Sequence, residues 1–332
     1  MDEIRRLDFD THLFGPARSL AWDGDEVRDL AAGDTRFRLD GTSRRGGFTF
    51  GFHFDVTVNG PDGIAAVAKR RGTTALVMTG PTKHRQLGRD YYFADAYDYP
   101  IALFRGPDGR PLLAHCPQQY TVLHLDDART GKRLTARHPK RTDYFHSHLL
   151  ASPSGRWLAS HGWVWHPFEA VLVFDVARVL ADPALLDRTG WPFASRIDGE
   201  VAGIDWTADD HLLVSTTDDE PLGNDEHGAM LRAGSIGCFD PAADAWCYRT
   251  QLERVAGELL DLGDHRHVVA FDGHPRLLDA RTGETLRAWE DLPTGHRASC
   301  IDDRDRRPLA LDHGHRRFAV GSDERVTIVE LG

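Results

Sequence analysis

One short turn recurs along the chain and restricts what the chain can fold into. The clearest copies are VNGPDGIAAVA at 58–68, FRGPDGRPLLA at 104–114, LASPSGRWLAS at 150–160 and DWTADDHLLVS at 205–215, with weaker copies at 260–270 and 310–320. Each copy has an apolar strand, a turn rich in Gly or Asp, and a second apolar strand. Gly, Asn and Asp tolerate the positive φ that tight hairpins require. The pattern therefore predicts a series of similar two-stranded hairpins.

A third strand follows each hairpin and enlarges the repeating unit. These strands are TTALVMT, YTVLHLD, AVLVFDV, SIGCFDP, PRLLDAR and VTIVELG. In two units a further turn, DDARTGKRL at 126–134 and LDARTGETL at 278–286, leads into a polar fourth strand. Four antiparallel strands in a unit of about 40 to 55 residues are typical of a β-propeller blade. The sequence therefore predicts an all-β, closed β-propeller, with helical spacing only at 175–188.

Counting the units gives seven four-stranded blades in a single domain over residues 1–332. The predicted blades are 16–48, 49–92, 93–142, 143–198, 199–253, 254–291 and 292–332. The last unit has only three strands, whereas residues 3–10 form a surplus strand at the N-terminus. We expect that strand to complete the last blade and close the ring, because closure removes both exposed sheet edges.

The units resemble those of the WD40-like β-propeller superfamily. The segments that carry the resemblance are SPSGRWLAS, GPDGRPLLA and FAVGSDERVTIVEL, together with the DARTG turns. The resemblance covers nearly the whole chain, but no unit has the Gly-His start or the Trp-Asp end of a strict WD40 repeat. It implies the fold without implying one function, since propellers host unrelated activities.

Composition narrows the class of partner and the compartment. A net charge of −11 argues against general nucleic-acid binding, which requires a cationic surface. No window approaches 18 apolar residues, so no membrane span is expected. The N-terminus lacks a signal-peptide pattern, which predicts a cytoplasmic location. Arginine supplies 36 of the 40 basic residues, as expected of a GC-rich bacterial genome.

The four cysteines are far apart in the sequence and form no CxxC pair. They are Cys116, Cys238, Cys247 and Cys300. This spacing predicts reduced, mostly buried thiols rather than a disulfide framework or a zinc site. No cofactor is predicted on this basis.

Aromatic residues and histidines concentrate in four segments that we expect to be loops on one face near blades 3 to 5. Two join strands two and three of blades 4 and 5, at 160–169 and 216–234, and two join successive blades, at 89–100 and 140–148. Loops on a rigid scaffold commonly carry function. The candidate binding residues are Tyr91, Tyr92, Tyr97, Tyr99, Tyr144, His146, His148, His161, Trp163, Trp165, His166, Phe168, Asp218 and His227.

Three interpretations of these residues compete. The first is a binding surface for a protein or peptide, because exposed Trp, Tyr and Arg are common hot-spot residues. The second is a metal or catalytic pocket of His146, His148, His161 and His166, since alternate residues of a strand point to the same side. The third is packing, with aromatic rings holding loops onto the blades and histidines hydrogen-bonded. Spacing alone leaves all three open.

Common enzyme signatures are absent from the sequence. It has no GxSxG, HExxH or P-loop, and no GxGxxG after a strand. We therefore predict a non-enzymatic scaffold that binds a protein or peptide partner, without membrane or general nucleic-acid binding. The alternative is a metal- or histidine-dependent hydrolase, lyase or cyclase acting on a small-molecule substrate at the channel mouth. There the four histidines would be metal ligands or acid–base groups, and a bound metal ion belongs to this alternative.

Overall fold

Antiparallel sheets follow one another along the chain, and most of them contain strands that are neighbours in the sequence. The computed structural model describes residues 2–47, 49–79, 84–140, 142–164, 168–187, 196–219, 230–297, 303–304 and 306–332. The side chains at 168, 297, 303 and 304 are not among the described parts. Strands are numbered β1 to β30 in chain order.

The first strand belongs to the last blade, and the blades begin after it. This strand is β1 (Glu3–Asp10). Blade 1 contains β2 (Ala21–Asp23), β3 (Glu26–Asp29), β4 (Thr35–Arg38) and β5 (Ser43–Arg44). Blade 2 contains β6 (Val56–Asn59), β7 (Ile64–Ala68), β8 (Thr74–Thr79) and β9 (His84–Gly88).

Blades 3 and 4 have three hydrogen-bonded strands each among the described residues. Blade 3 contains β10 (Ile101–Arg105), β11 (Pro111–His115) and β12 (His124–Asp127). A single bridge from Asp126 to Arg133 occupies its fourth position. Blade 4 contains β13 (Tyr144–Ala151), β14 (Trp157–Val164) and β15 (Phe168–Asp175).

Helix follows β15, in the segment where helical spacing was predicted. It consists of α1 (Val176–Ala181) and a 3₁₀ turn (Pro183–Asp187). The Asp175 carboxylate caps α1 by accepting a hydrogen bond from the Arg178 amide at 3.0 Å. Within the described ranges, no helix combines the length and apolar composition that spanning a membrane requires.

Blades 5, 6 and 7 each have four strands, and two short strand pairs flank them. Blade 5 contains β17 (Val201–Trp206), β18 (Leu212–Thr216), β20 (Ser235–Asp240) and β21 (Ala245–Gln251). Blade 6 contains β22 (Leu259–Asp261), β23 (His267–Ala270), β24 (Arg276–Asp279) and β25 (Thr285–Ala288). Blade 7 contains β28 (Leu309–Asp312), β29 (Arg317–Gly321), β30 (Arg325–Leu331) and β1. The short pairs are β16 (Ile197–Asp198) with β19 (Leu231–Arg232), and β26 (His296–Arg297) with β27 (Asp303–Arg304).

The N-terminal strand closes the ring. β1 pairs antiparallel with β30, from Glu3 opposite Leu331 to Asp10 opposite Arg325. The first and last strands of the chain, β1 and β30, are therefore hydrogen-bonded to each other. A seven-bladed propeller closed by the N-terminal strand is confirmed.

Hydrophobic clusters fill every junction between neighbouring blades. Alternate side chains of a strand point to opposite faces of its sheet, so each blade packs against both neighbours. On β14, for example, Leu158 belongs to the cluster shared with blade 3 and Ala159 to the cluster shared with blade 5. The first strands of all seven blades line a central cavity of about 490 Å³.

The repeated turns have the backbone conformation that their sequence predicts. All six copies contain a residue with positive φ, at Asp62, Gly109, Gly155, Asp210, His265 and Arg316. The prediction of hairpin turns that tolerate positive φ is confirmed.

Candidate interaction surface

One face of the propeller carries the loops that join strands two and three of a blade and the loops that join successive blades. We call it the loop face. The segment 89–100 joins β9 to β10 there and contains no strand, as predicted. The predicted loops at 140–148 and 160–169 are wrong in extent, because β13 begins at Tyr144 and β14 continues to Val164.

The longer strands bury several of the predicted binding residues. Tyr144, His146, His161 and Trp163 are all at most 5% exposed. The hydroxyl of Tyr144 lies 2.6 Å from the carbonyl oxygen of Ser160 and 2.9 Å from that of Ala170. These contacts match the packing interpretation, in which the rings stabilise blade 4.

His146 and His148 do not converge, although they are two residues apart on β13. A bulge lies between them and interrupts the alternation of side chains. The Nδ1 atom of His146 lies 2.8 Å from the hydroxyl of Ser160, and its ring lies near Phe174. His148 instead lines the central cavity. Burial, with Arg137 nearby, lowers the pKa of His146 to about 3, so its ring is neutral at physiological pH.

His161 lies opposite His148 across the two strands, and its ring is held by a carboxylate. Its Nε2 atom lies 2.5 Å from Oε2 of Glu169, and both residues are buried. The amide of Glu169 donates a hydrogen bond to Oε2 of Glu200 at 2.7 Å. Burial raises the pKa of Glu200 to about 7, and the nearby carboxylates of Glu169 and Asp219 add to the effect.

The remaining predicted residues have different positions. Asp218 is exposed just after β18, whereas Tyr97 and Tyr99 are buried in the segment between β9 and β10. Four predictions concern positions outside the described residues or side chains, those of Trp165, His166, Phe168 and His227.

An aromatic stack links the loop face to the interior of blade 4. It consists of Tyr92, Tyr120, Phe145 and Trp163. Ring centroids are 4.8 Å apart for Tyr92 and Tyr120, 4.5 Å for Tyr120 and Phe145, and 4.1 Å for Phe145 and Trp163. The rings of Phe145 and Trp163 are buried, whereas Tyr92 at the other end of the stack is 43% exposed. The stack therefore provides a rigid base for an exposed aromatic ring.

Arg89 organises the loop that carries the exposed rings. Its guanidinium is buried and contacts the rings of Tyr97 and Tyr99, with its carbon 4.4 Å and 5.1 Å from the two centroids. It donates hydrogen bonds of 2.7 to 2.9 Å to the carbonyl oxygens of Gly72, Ala94, Tyr97 and Asp98. One buried cation thus fixes both ends of the segment 89–100.

Most of the exposed large hydrophobic side chains lie on the loop face. Seven occur in the described parts of the chain, and five of them lie in three consecutive interblade loops. We call these five the apolar surface; they are Leu13, Phe52, Tyr91, Tyr92 and Phe93. The other two, Ile4 and Leu286, lie on the outermost strands of blades 7 and 6. Exposed apolar side chains concentrated on one face are typical of an interaction site.

A basic pocket lies on the same face. It has a volume of about 460 Å³ and is lined by Arg18, Lys69, Arg70, Arg71, Arg306, Asp55 and Pro308. Five of these seven side chains are basic and one is acidic, and two further carboxylates, those of Asp98 and Glu258, pair with Arg306. The remaining local excess of positive charge contrasts with the net charge of −11 for the whole chain.

The turn between β7 and β8 joins the basic pocket to the apolar surface. Lys69, Arg70 and Arg71 line the pocket, and Thr73 and Thr74, which follow after Gly72, line a groove that Tyr91 borders. The basic pocket is therefore adjacent to the part of the apolar surface that Tyr91 forms.

Ion pairs fix the basic side chains at the mouth of the central cavity. Arg306 lies 3.1 Å from a carboxylate oxygen of Asp98 and also pairs with Glu258. Lys69 pairs with Asp55 at 2.5 Å. The amide of Asp98 donates a hydrogen bond to the Ser147 hydroxyl at 3.1 Å. These ion pairs hold the side chains of Lys69 and Arg306 in place.

Sequence reasoning did not predict the apolar surface as a whole or the basic pocket. Its aromatic count singled out Tyr91 and Tyr92 but not Leu13, Phe52 or Phe93. The lining of the pocket comes from residues near 18, 70 and 306, which show no local pattern. Arg89 was missed because nothing distinguishes it from the other arginines in the sequence.

One group in the described residues has the spacing of a metal site, and it is not the predicted one. His211, Cys238 and Cys247 of blade 5 have ligand atoms within 4.8 Å of one another. His146, His148 and His161 form no such group with one another or with other described residues.

No protein-family model matches the chain, and no curated protein matches its sequence. Solved structures do match it along nearly all of its length. A chain of the hydrazine synthase of Kuenenia stuttgartiensis has a TM-score of 0.62 at 15% identity, covering 98% of this chain and 97% of that chain. The fold is that of a WD40-like propeller.

Two further structures show how widely this propeller fold is distributed. A chain of the mitotic checkpoint complex has a TM-score of 0.57 at 11% identity, covering 99% of this chain and 91% of that chain. The computationally designed protein Ika8 has a TM-score of 0.52 at 13% identity, covering 96% and 97%. At such low identity the likeness of this WD40-like propeller to all three concerns the fold alone.

Proposed function

We propose that this propeller is a non-enzymatic interaction module that binds an extended, acidic segment of a partner protein on its loop face. The observation that carries the proposal is the position of the exposed hydrophobic side chains. Of the seven exposed large hydrophobic side chains in the described parts of the chain, five lie in three consecutive interblade loops. Apolar side chains gathered on one face offer a partner more buried area than the same number scattered singly.

The apolar surface has the chemistry of a binding hot spot. Tyr91 is 87% exposed, and its neighbour Tyr92 rests on the aromatic stack. Arg89 fixes the backbone beneath both residues. Because the stack already orders the ring of Tyr92, that ring loses little entropy when a partner packs against it.

The basic pocket favours an acidic partner. Its five cations adjoin the apolar surface, while the chain as a whole is strongly acidic. A partner with carboxylates beside an apolar anchor is attracted to the basic pocket and repelled by the acidic remainder of the propeller. Such complementarity increases the association rate and selects the orientation of the complex.

The surface, rather than the fold, favours this function over catalysis. Structures with the same fold come from hydrazine synthase and from the mitotic checkpoint complex, so the fold agrees with an enzyme or with a partner-binding protein. Of the described histidines of the alternative enzyme, His148 lies opposite His161 across β13 and β14, but the ring of His161 contacts Glu169 and that of His146 contacts Ser160.

Selection from a random linear-peptide library tests the proposal. The library is selected on the wild-type chain, and the affinities of individual peptides are then measured by fluorescence polarisation. We expect the selected peptides to carry acidic residues beside an aromatic or aliphatic anchor. They should bind Tyr91→Ala at least about 10-fold more weakly than the wild type, because the variant loses one hot-spot contact. Arg18→Glu should weaken the same peptides, and added salt should reduce their affinity.

Two matched variants serve as controls. Leu286→Ala removes an exposed hydrophobic side chain from the outermost strand of blade 6. Arg110→Glu reverses an exposed charge in a turn on the opposite face. Both should bind the selected peptides like the wild type. Peptides that bind Tyr91→Ala and Arg18→Glu as tightly as the wild type would refute the proposed surface, and so would a library that yields no binder.

A further inference from the structure

Blade 5 brings together two thiols and an imidazole that are separated in the sequence. Cys238 lies on β20, Cys247 lies on β21, and His211 immediately precedes β18. The ligand atoms of the three side chains all lie within 4.8 Å of one another. The Nδ1 atom of His211 is 3.8 Å from the sulfur of Cys247.

A bulge in the β20–β21 pairing places Cys247 in this group. Cys238 pairs with Tyr248 and Phe239 pairs with Trp246, so Cys247 is the extra residue between two consecutive cross-strand pairs. Bulges commonly re-aim a side chain that regular pairing would direct elsewhere. Here the result is a buried thiol and an exposed thiol side by side at the edge of the blade.

The distances are close to those of a tetrahedral zinc site. Zn–S bonds of about 2.3 Å and Zn–N bonds of about 2.0 Å separate two sulfurs by about 3.8 Å, and a sulfur from a nitrogen by about 3.5 Å. The separations in blade 5 exceed these by at most about 1.3 Å. Small side-chain rotations are enough to bring the three atoms to one ion.

A carboxylate lies near the second nitrogen of the His211 imidazole. The Nε2 atom of His211 lies 3.8 Å from Oδ2 of Asp240, and the opposite nitrogen faces the thiol of Cys247. A carboxylate behind a metal-binding histidine fixes the tautomer and orientation of its ring. Thus His211 has a sulfur on one side and a carboxylate on the other.

We propose that His211, Cys238 and Cys247 bind one thiophilic divalent cation, with Zn²⁺ as the expected ion. Two sulfur donors and one imidazole select zinc over magnesium or calcium, which prefer oxygen ligands. The exposed position of Cys247 leaves the fourth coordination position accessible to water. The ion would connect β18, β20 and β21, and the site is independent of the proposed binding surface.

Zinc titration of the reduced, metal-free, full-length chain tests the site. Competition with a chromophoric chelator gives stoichiometry and affinity, and Co²⁺ reports thiolate ligands through its charge-transfer absorption. We expect one ion per chain. Affinity should fall at least about 100-fold in Cys247→Ser and in His211→Asn, and about 10-fold in Asp240→Asn, the effect typical of an orienting partner.

Matched variants separate loss of a ligand from loss of the fold. Cys247→Ser alters an exposed side chain, so it leaves the core of blade 5 intact, whereas Cys238→Ser alters a buried one. Cys116→Ser removes a buried thiol of blade 3 and should bind zinc like the wild type. Zinc binding that is absent from the wild type, or that is unchanged in both Cys247→Ser and His211→Asn, would overturn the proposal.

Discussion

Phe145 and Trp163 lie directly opposite each other on β13 and β14, with ring centroids 4.1 Å apart and ring planes at 15°. Both are buried, although the sequence placed Trp163 on an exposed loop. Their stack extends through Tyr120 to Tyr92 on the loop face. Trp163 is therefore a buried member of the stack that supports the exposed ring of Tyr92.

Trp163→Ala should consequently affect folding. Truncating a buried aromatic ring costs about 3 to 5 kcal/mol through lost transfer energy and the cavity that remains. We expect a loss of about 3 kcal/mol in the free energy of unfolding, measured by urea denaturation. Tyr91→Ala, at an 87% exposed position, should change it by less than about 0.5 kcal/mol. Equal effects of the two variants would contradict the buried stack.

Phe9→Ala tests the closure of the ring. Phe9 is buried on β1, where it lies opposite Val326 and contacts Phe37 with ring centroids 5.4 Å apart. The substitution should lower the free energy of unfolding by about 3 kcal/mol, because it opens a cavity between blades 7 and 1. Ile4→Ala, on the same strand but 68% exposed, is the matched control. If it is as destabilising as Phe9→Ala, burial at this junction is not the cause.

Two glycines of the repeated turn should respond differently to a methyl group. Gly109 and Gly155 both have left-handed backbone, with φ of +80° and +71°. A Cβ at Gly109 meets open space, so Gly109→Ala should cost about 1 kcal/mol for the conformation alone. A Cβ at Gly155 would overlap the carbonyl oxygen of Arg105 in blade 3. Gly155→Ala should therefore have the clearly lower melting temperature of the two, and equal melting temperatures would refute this close approach.

Glu200→Gln should increase stability in a pH-dependent way. Burial raises the pKa of Glu200 from 4.5 to about 7 in the folded state. Its ionisation therefore disfavours folding increasingly as pH rises from about 4.5 to 7, and the cost is complete above pH 7. The amide of glutamine removes this cost and still accepts the hydrogen bond from Glu169. The melting temperature of the variant, relative to wild type, should rise between pH 5 and pH 8.

Glu284→Gln provides the control for that pH dependence. Glu284 is exposed in the turn before β25, so neutralising it removes one carboxylate without relieving burial. Its melting temperature should follow that of the wild type across the same pH range. A Glu200→Gln variant that does the same would show that Glu200 ionises without cost in the folded protein.

The propeller architecture follows from local patterns in the sequence. Turn chemistry and strand alternation are local properties, so each hairpin could be recognised from about ten residues. The surplus strand at residues 3–10 and the missing strand of blade 7 predicted the pairing of β1 with β30. Every copy of the turn contains a residue with positive φ, which is Gly or Asp in four copies and His265 or Arg316 in the other two, and helix follows β15 as the spacing of 175–188 indicated.

The tertiary structure decided which side chains are exposed and which come together. The burial of Tyr144 and Trp163 depends on how far β13 and β14 continue, and cross-strand packing sets that length rather than local composition. Closing a ring brings side chains from distant segments to one place. The basic pocket combines residue 18 with residue 306, and the cysteine–histidine group depends on a bulge. Such groups leave no periodic pattern, because no local segment contains them.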